Sequence, residues 1–351
     1  VTEYLESVAV VGAGSWGTTL AHLLGDKGYP VDLWVYEKEV FEAIRDNREN
    51  RIYLPGFALS GNIRPHLDMK AVVSEHRLVV MVVPSHVYRQ VALQMLPHLR
   101  RDAILVTATK GIENETLLTM SQVWNELSEA TRVVSLAGPS FAPEVMRKVP
   151  TAVTVAADDL DTAREAQRVF HTSYFRVYTS VDKIGVELAG ALKNVIALAA
   201  GVCDGLGCGH NTRAALITRG LAEITRLGVR MGAHPFTFAG LSGIGDLLLT
   251  CTGDLSRNRT VGYKLGQGRK LEEVLGDMRM VAEGVKTARS VYHLAKRLNV
   301  EMPISEQVYR VLYEGKDPRR AVQELMERDL KHELEMYDEN APILNGYAHG
   351  R

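Results

Sequence analysis

The chain has 351 residues, 46% of them hydrophobic and 24% charged, a balance that excludes wholesale disorder and is enough for two globular domains. A formal net charge of -1 gives no overall pull toward nucleic acid or an anionic membrane, so any anion site must be built locally and the expected partner is a small molecule. Cys203, Cys208 and Cys251 have no CxxC spacing and cannot all pair, which points to packing thiols in a reduced, cytoplasmic protein; neither a secretory leader nor an apolar stretch near the ~18 residues of a membrane span is expected.

Residues 8–12, Val-Ala-Val-Val-Gly, form a β-branched apolar run that stops at a glycine, as a buried parallel strand does, and a helix follows through about Gly25. Further strands are expected at Val31–Tyr36, at Leu78–Val83 ending on Pro84, and at Ala103–Thr109, with a helix at Val87–Leu99. Strands alternating with helices imply a parallel sheet. Val133–Leu136 and Ala152–Ala156 extend the series, and Phe175–Tyr178 closes it at the edge. Residues 1–180 therefore read as one α/β, doubly wound, Rossmann-like domain. From about Asp182 the strand signals stop, and helical spacing runs through Gly185–Val202, Asn211–Met231, Arg257–Gly266 and Ala282–Leu298. Residues 181–335 read as an all-α domain, divided by Gly/Asp-rich breaks at 203–209, 240–246 and 252–254. The polar, Gly/Pro-punctuated tail at 336–351 is expected to be loosely ordered.

Gly12-Ala-Gly14-Ser15-Trp16-Gly17 matches GxGxxG directly after a strand and before a helix. The first glycine permits the tight turn, the second lets backbone approach a pyrophosphate, and the third allows helix and strand to pack closely. About twenty residues on, this pattern expects a group for the adenosine ribose. Tyr36-Glu37 stands there. A carboxylate would suit the ribose hydroxyls of NAD and repel the extra phosphate of NADP, but which of the two points inward is open at this level, and Glu37 could instead only cap the next helix.

Seven segments in order resemble the bacterial NAD(P)-dependent glycerol-3-phosphate dehydrogenases: GAGSWGTTLA at 12–21, TKGIE at 109–113, AGPSFA at 137–142, LKNVIALAAG at 192–201, LSGIGDLLLTC at 241–251, SRNRTVG at 256–262 and VAEGVKTA at 281–288. The resemblance covers nearly the whole chain before the tail. It implies NAD(P)H-dependent, reversible reduction of dihydroxyacetone phosphate to sn-glycerol 3-phosphate, which supplies glycerophospholipid synthesis, by a protein with no membrane anchor that forms a homodimer through its helical domain. It implies cofactor contacts from Gly12, Gly14, Ser15, Trp16, Gly17, Tyr36, Tyr53, Lys110, Ala142, Arg257, Val281 and Glu283. For substrate it implies Lys110, Gly138, Ser140, Lys193, Asp246, Ser256, Arg257 and Asn258, with Lys193 as the acid/base. Tyr36 departs from the basic or imidazole residue the family often has at that position, so NADH versus NADPH stays open.

The residue chemistry agrees with this. Reducing a ketone requires a proton for the developing alkoxide and positive potential around it. Lys193 lies in an otherwise apolar helical stretch, where desolvation would lower its pKa toward a working acid, although most helical lysines are solvated. Lys110 follows a strand at its C-terminal end, where open α/β sheets hold ligands. Asp246 could orient Lys193 or cap a helix at Leu247–Thr250. Ser256-Arg257-Asn258 offers a hydroxyl, a guanidinium and an amide at a helix start, a phosphate cradle if not merely a cap and a surface charge. No metal is expected, since neither His86 nor His210 has a second ligand at metal spacing. The rival readings are a 6-phosphogluconate-like or ketopantoate-like hydroxy-acid dehydrogenase, which the SRN at 256–258 disfavours, and a non-catalytic nucleotide sensor, which the two lysines disfavour.

Overall fold

The structure is a computed structural model that describes residues 7–129, 131–278, 281–330 and 333; the tail expected at 336–351 lies outside these. Eight strands form one sheet: β1 (Val8–Val11), β2 (Val31–Trp34), β3 (Ile63–His66), β4 (Leu78–Met81), β5 (Ile104–Thr107), β6 (Arg132–Ala137), β7 (Thr151–Ala156) and β8 (Phe175–Ser180). Their order is β3-β2-β1-β4-β5-β6-β7-β8. The first six run parallel in the doubly wound arrangement. The parallel expectation needs one correction: β7 pairs with β6 antiparallel, and β8 follows β7.

β1, β4 and β5 are buried along their whole length, which is why they read as unbroken apolar runs. β3 escaped the sequence reading. Its Ile-Arg-Pro-His has no apolar alternation, and Pro65 is tolerated because β3 lies at the sheet edge. β2 ends at Trp34, so Tyr36 and Glu37 sit past the strand.

Seven helices belong to this half: α1 (Ser15–Asp26), α2 (Lys38–Asn47), α3 (Met69–Val73), α4 (Tyr88–Met95), α5 (Met120–Leu127), α6 (Ala142–Met146) and α7 (Leu160–Phe170). They cover both faces of the sheet. Leu20, Leu24, Ala166 and Phe170 share one apolar cluster, while Val72, Val91, Met95 and Trp124 share the other. The helix expected at Val87–Leu99 is shorter, flanked by tight turns at Ser85–Val87 and Leu96–His98, the second carrying Pro97.

Among the described residues, the second half is helical: α8 (Lys183–Gly205), α9 (His210–Arg230), α10 (Asp246–Thr252), α11 (Arg257–Gly266), α12 (Leu271–Gly276), α13 (Glu283–Leu298), α14 (Pro303–Tyr313) and α15 (Pro318–Met326). α8 overturns one expectation, because it is long and apolar enough to cross a membrane. Its most apolar window is 94% buried inside the protein, so the composition is that of a core helix wrapped by neighbours on every side. Four glycines bring α11 against it. A Cβ at Gly262 would lie 2.0 Å from the Leu198 carbonyl oxygen, one at Gly201 would lie 2.0 Å from that of Arg259, and Gly205 and Gly266 face the partner backbone in the same way. With no side chains between them, the two backbones are in direct contact.

Gly262→Ala therefore forces the helices apart, and is expected to cost roughly 3 kcal/mol of stability, the upper end of ordinary overpacking. Urea unfolding of the purified variant measures this; an unchanged midpoint would refute the close approach.

Candidate active site

The glycine turn divides its labour as the pattern predicts. Gly12 has φ +111°, and a Cβ there would meet the Val82 carbonyl oxygen at 2.4 Å; one at Gly17 would meet the Gly12 oxygen at 1.9 Å. Gly14 is different. It is the N-cap of α1, no side chain caps the helix, and a Cβ there would have nothing within 4 Å. The open space beside Gly14 thus adjoins the first-turn N–H groups beginning at Ser15 and Trp16, the donor set an anion at a helix start requires. Trp16 packs against Phe175 with ring centroids 6.4 Å apart, and its indole N–H is buried with no partner among the described residues.

Asn50, fully buried, ties the next segment to this turn: its amide nitrogen donates to the Ala13 carbonyl and to Thr18 Oγ1, both at 2.8 Å, and its oxygen accepts the Tyr53 N–H at 3.1 Å. Tyr53 in turn donates its hydroxyl to Glu37 Oε1 at 2.8 Å. Burial and the Glu37 carboxylate push that hydroxyl up to about 12. Glu37 occupies the N-cap position of α2 but makes no capping bond, and Tyr36 is 77% exposed beside the Trp34 ring.

At the C-terminal ends of β5 and β6 the sheet half meets α8 and α10. Lys193, 6% exposed in the middle of α8, donates to Asp246 Oδ1 at 2.6 Å and to Thr250 Oγ1 at 2.7 Å. Lys110 donates to the other carboxylate oxygen at 2.8 Å and to the Gly138 carbonyl at 3.2 Å. Asp246 is 1% exposed and makes no capping bond, since Gly245 is the N-cap of α10; the carboxylate is committed to the two lysines. Burial drives the Lys193 ammonium down to about 8 against the attraction of Asp246, and the Lys110 charge adds to the fall. Gly138 adopts φ +142° and packs onto Val153, while Ser140 Oγ bonds back to the Gly138 carbonyl at 3.0 Å. Thr250 was not singled out from the sequence, although its spacing of four from Asp246 places both on one helix face.

The start of α11 separates the three residues of the SRN tripeptide. Ser256 is the N-cap, its hydroxyl accepting the Arg259 N–H at 3.2 Å. The Asn258 amide is spent inside the protein, donating to Asn194 Oδ1 and accepting the Gly284 N–H, both at 2.9 Å. Arg257 remains at the surface and donates to the Val281 carbonyl at 2.9 Å. Glu283, at the start of α13, accepts the Ser85 N–H at 3.1 Å and its hydroxyl at 2.6 Å, reaching across to the sheet half; burial pushes its carboxyl up while those bonds oppose the rise. Ser85 carries no sequence signal, being 198 residues from its partner. Ala142 opens α6, beside the Gly138–Ser140 turn. Among the described residues, no group of three His, Cys, Asp or Glu side chains is arranged to hold a metal.

The structure thus holds an uncapped glycine turn at the start of α1, two lysines on one buried carboxylate and an arginine at the start of α11. Residues 7–163 match the sequence model of the NAD-dependent glycerol-3-phosphate dehydrogenase N-terminus, and residues 182–323 match that of the C-terminus. A glycerol-3-phosphate dehydrogenase (NAD(P)+) of Syntrophobacter fumaroxidans is 67% identical over 94% of this chain and 98% of its own. The crystal structure of glycerol-3-phosphate dehydrogenase from Coxiella burnetii superposes with a TM-score of 0.90 at 38% identity, covering 92% of this chain and 99% of that one. A ketopantoate reductase from Ralstonia eutropha, at 13% identity and a TM-score of 0.58, shares the fold alone. The chain belongs to the NAD-dependent glycerol-3-phosphate dehydrogenase family.

Proposed function

We infer that the protein reduces dihydroxyacetone phosphate to sn-glycerol 3-phosphate with NAD(P)H, reversibly, and so supplies glycerophospholipid synthesis. The observation that carries this reading is the pair Lys193 and Lys110 on Asp246: a buried proton donor brought down to about 8, with a second lysine on the same carboxylate.

Gly14 and the first-turn N–H groups of Ser15 and Trp16 would hold the pyrophosphate, between the structural glycines Gly12 and Gly17. Tyr53 and Glu37 would lie along the adenosine half, and Ala142, Arg257, Val281 and Glu283 along the nicotinamide half. Bound there, the cofactor supplies the hydride. Lys193 Nζ gives its proton to the alkoxide oxygen that forms, and recovers it from the alcohol in the reverse direction. Lys110 keeps positive potential on that oxygen, and Asp246 aims both ammoniums and stabilises the charged form of Lys193. Arg257 and the backbone N–H groups at the start of α11 would take the substrate phosphate, with Ser256 and Asn258 shaping the cradle and Gly138 and Ser140 closing its other side. We assign residues 1–180 to cofactor binding and 181–335 to substrate binding and catalysis. The three free thiols suit a cytoplasmic protein, and the helical half is the proposed homodimer surface.

Purified protein is expected to oxidise NAD(P)H rapidly with dihydroxyacetone phosphate and not with unphosphorylated dihydroxyacetone, and Lys193→Ala to lose turnover while still binding cofactor. Turnover at the wild-type rate in that variant would remove the acid/base assignment.

The donor must be protonated, so the rate of reduction should fall as pH rises through about 8 and the reverse oxidation should rise over the same range. Asp246 holds the Lys193 pKa up, so Asp246→Asn should move the falling limb to lower pH; a limb that stays in place would separate it from Lys193. At the glycine turn, Gly14→Val should still give a folded protein with only a small drop in thermal midpoint, because a Cβ there meets nothing within 4 Å, yet abolish cofactor binding measured by nucleotide fluorescence. Retained affinity would displace the pyrophosphate from this turn.

A further inference from the structure

α8 ends in a turn that folds two thiols toward each other. The Cys208 N–H donates to the Cys203 carbonyl at 2.9 Å and the Gly207 N–H to the Asp204 carbonyl at 3.1 Å, with Gly207 at φ +79°. These are the two bonds of a helix closed by a left-handed glycine, an end on which the side chain after the glycine commonly packs against the one five positions before it. Here both are cysteines. Cys203 is buried, and Cys208 is half-buried against the same apolar cluster. We propose that Cys203 and Cys208 form a modification site, a dithiol that hydroperoxides oxidise reversibly to a disulfide and that acts on the neighbouring start of α11. The disulfide itself goes beyond the dehydrogenase reading, and only its effect on substrate rests on that reading.

The two thiols take different parts. Burial, and next the neighbouring Cys208 thiol, push the Cys203 thiol up to about 12, which makes its sulfur a poor first target. Cys208, the one reachable from solvent, meets the peroxide. Its sulfur takes one peroxide oxygen as a sulfenic acid, the O–O bond breaks, and the thiol proton leaves with the other oxygen as water. The Cys203 sulfur then displaces the hydroxyl from Cys208, and the Cys203 proton departs with it as a second water. Two thiols have lost two electrons and two protons, and hydrogen peroxide has become two waters. Cys251, fully buried on α10, is on another helix and serves as the internal control.

The ring that closes contains Asp204. Its side chain, 6% exposed, accepts from Arg213 Nε on α9 at 2.9 Å and from Arg259 Nε on α11 at 2.8 Å. Arg259 is also the residue whose N–H bonds the Ser256 hydroxyl, two positions after Arg257. Drawing the two sulfurs together therefore pulls on the carboxylate that holds the first turn of α11, where the proposed phosphate site begins, and leaves Lys193 in place.

The test treats purified protein with hydrogen peroxide, alkylates the remaining thiols, and reads the digest by mass. Wild-type protein should lose two thiols, yield a Cys203–Cys208 disulfide two hydrogens lighter than the reduced peptide, recover both with dithiothreitol, and keep Cys251 free. Cys203→Ala should stop at a sulfenic acid on Cys208 that dimedone captures, and Cys208→Ser should resist oxidation while keeping its basal activity. Three thiols still free after treatment, or a disulfide that joins two subunits or uses Cys251, would overturn the proposal. The oxidised wild type should show a KM for dihydroxyacetone phosphate roughly three- to tenfold higher with kcat little changed, and peroxide-treated Cys208→Ser should not. An unchanged KM in the oxidised protein would overturn the action on α11. If the reduced protein does not turn over dihydroxyacetone phosphate, the dehydrogenase reading falls, while the masses still decide the thiol pair.

Discussion

One buried carboxylate organises the seam between the two halves. Asp246 shares its oxygens between Lys193 on α8 and Lys110 at the end of β5, so a single side chain joins α10, α8 and the sheet. At an effective dielectric near 20, each pair of unit charges is worth on the order of 4 kcal/mol at 4 Å, which is enough to keep two ammoniums close but not to cancel the desolvation of the deeper one. That imbalance lowers the Lys193 pKa. It also leaves the three groups, with both lysines charged, at a net positive charge that matches an anionic substrate and a developing alkoxide. Removing one member strands the others in a poorly solvated place, a change that usually costs about 3–5 kcal/mol, so the proposed catalytic role of Asp246 and its structural role coincide.

A three-way contact of this kind is useful only if the halves cannot slide. Glu187, near the start of α8, accepts the Ser121 N–H at 2.9 Å and the hydroxyls of Ser121 and Ser135 at 2.6 and 2.9 Å, fastening α8 to the start of α5 and to β6. Ser290 on α13 donates to the Ile112 carbonyl at 3.1 Å, and Glu283, the first residue of the same helix, holds Ser85. These polar contacts flank the lysines on both sides. Each fixes a direction as well as a distance, which apolar packing alone does less well.

Legibility in the sequence followed the same physics. β1, β4 and β5 could be read because burial on both faces leaves an unbroken apolar run, and Lys193 because a charge inside such a run is anomalous. β3 was lost because an edge strand tolerates Arg64, Pro65 and His66, and the reversal at β7 was lost because strand direction leaves no mark on composition. α8 was misjudged in a revealing way: Lys183, Glu187 and Lys193 interrupt its apolar run by eye, yet the helix between them is apolar enough to resemble a span. In the site, types were easier than geometry. Ser256, Arg257 and Asn258 read either as a phosphate cradle or as a cap and a surface charge, and folding makes Ser256 a cap, Asn258 an internal bridge and Arg257 a surface guanidinium. Ser85 and Thr250 were missed because their importance lies entirely in whom they meet.

The internal bridge explains how the proposed proton donor and the proposed anion cradle keep their spacing. Gly201, Gly205, Gly262 and Gly266 let α11 lie backbone against backbone on α8, so its start cannot drift with the rotamers of intervening side chains. Gly284 brings α13 equally close, since a Cβ there would lie 2.6 Å from the Asn194 carbonyl oxygen. The Asn258 amide then spans both, bonded to the side chain of Asn194 and to the N–H of Gly284. Asn194 is the residue after Lys193. The helix starts that carry Arg257 and Glu283 are therefore both referenced to the backbone beside Lys193, and the distance between the proposed proton and phosphate sites is set by the folded helices.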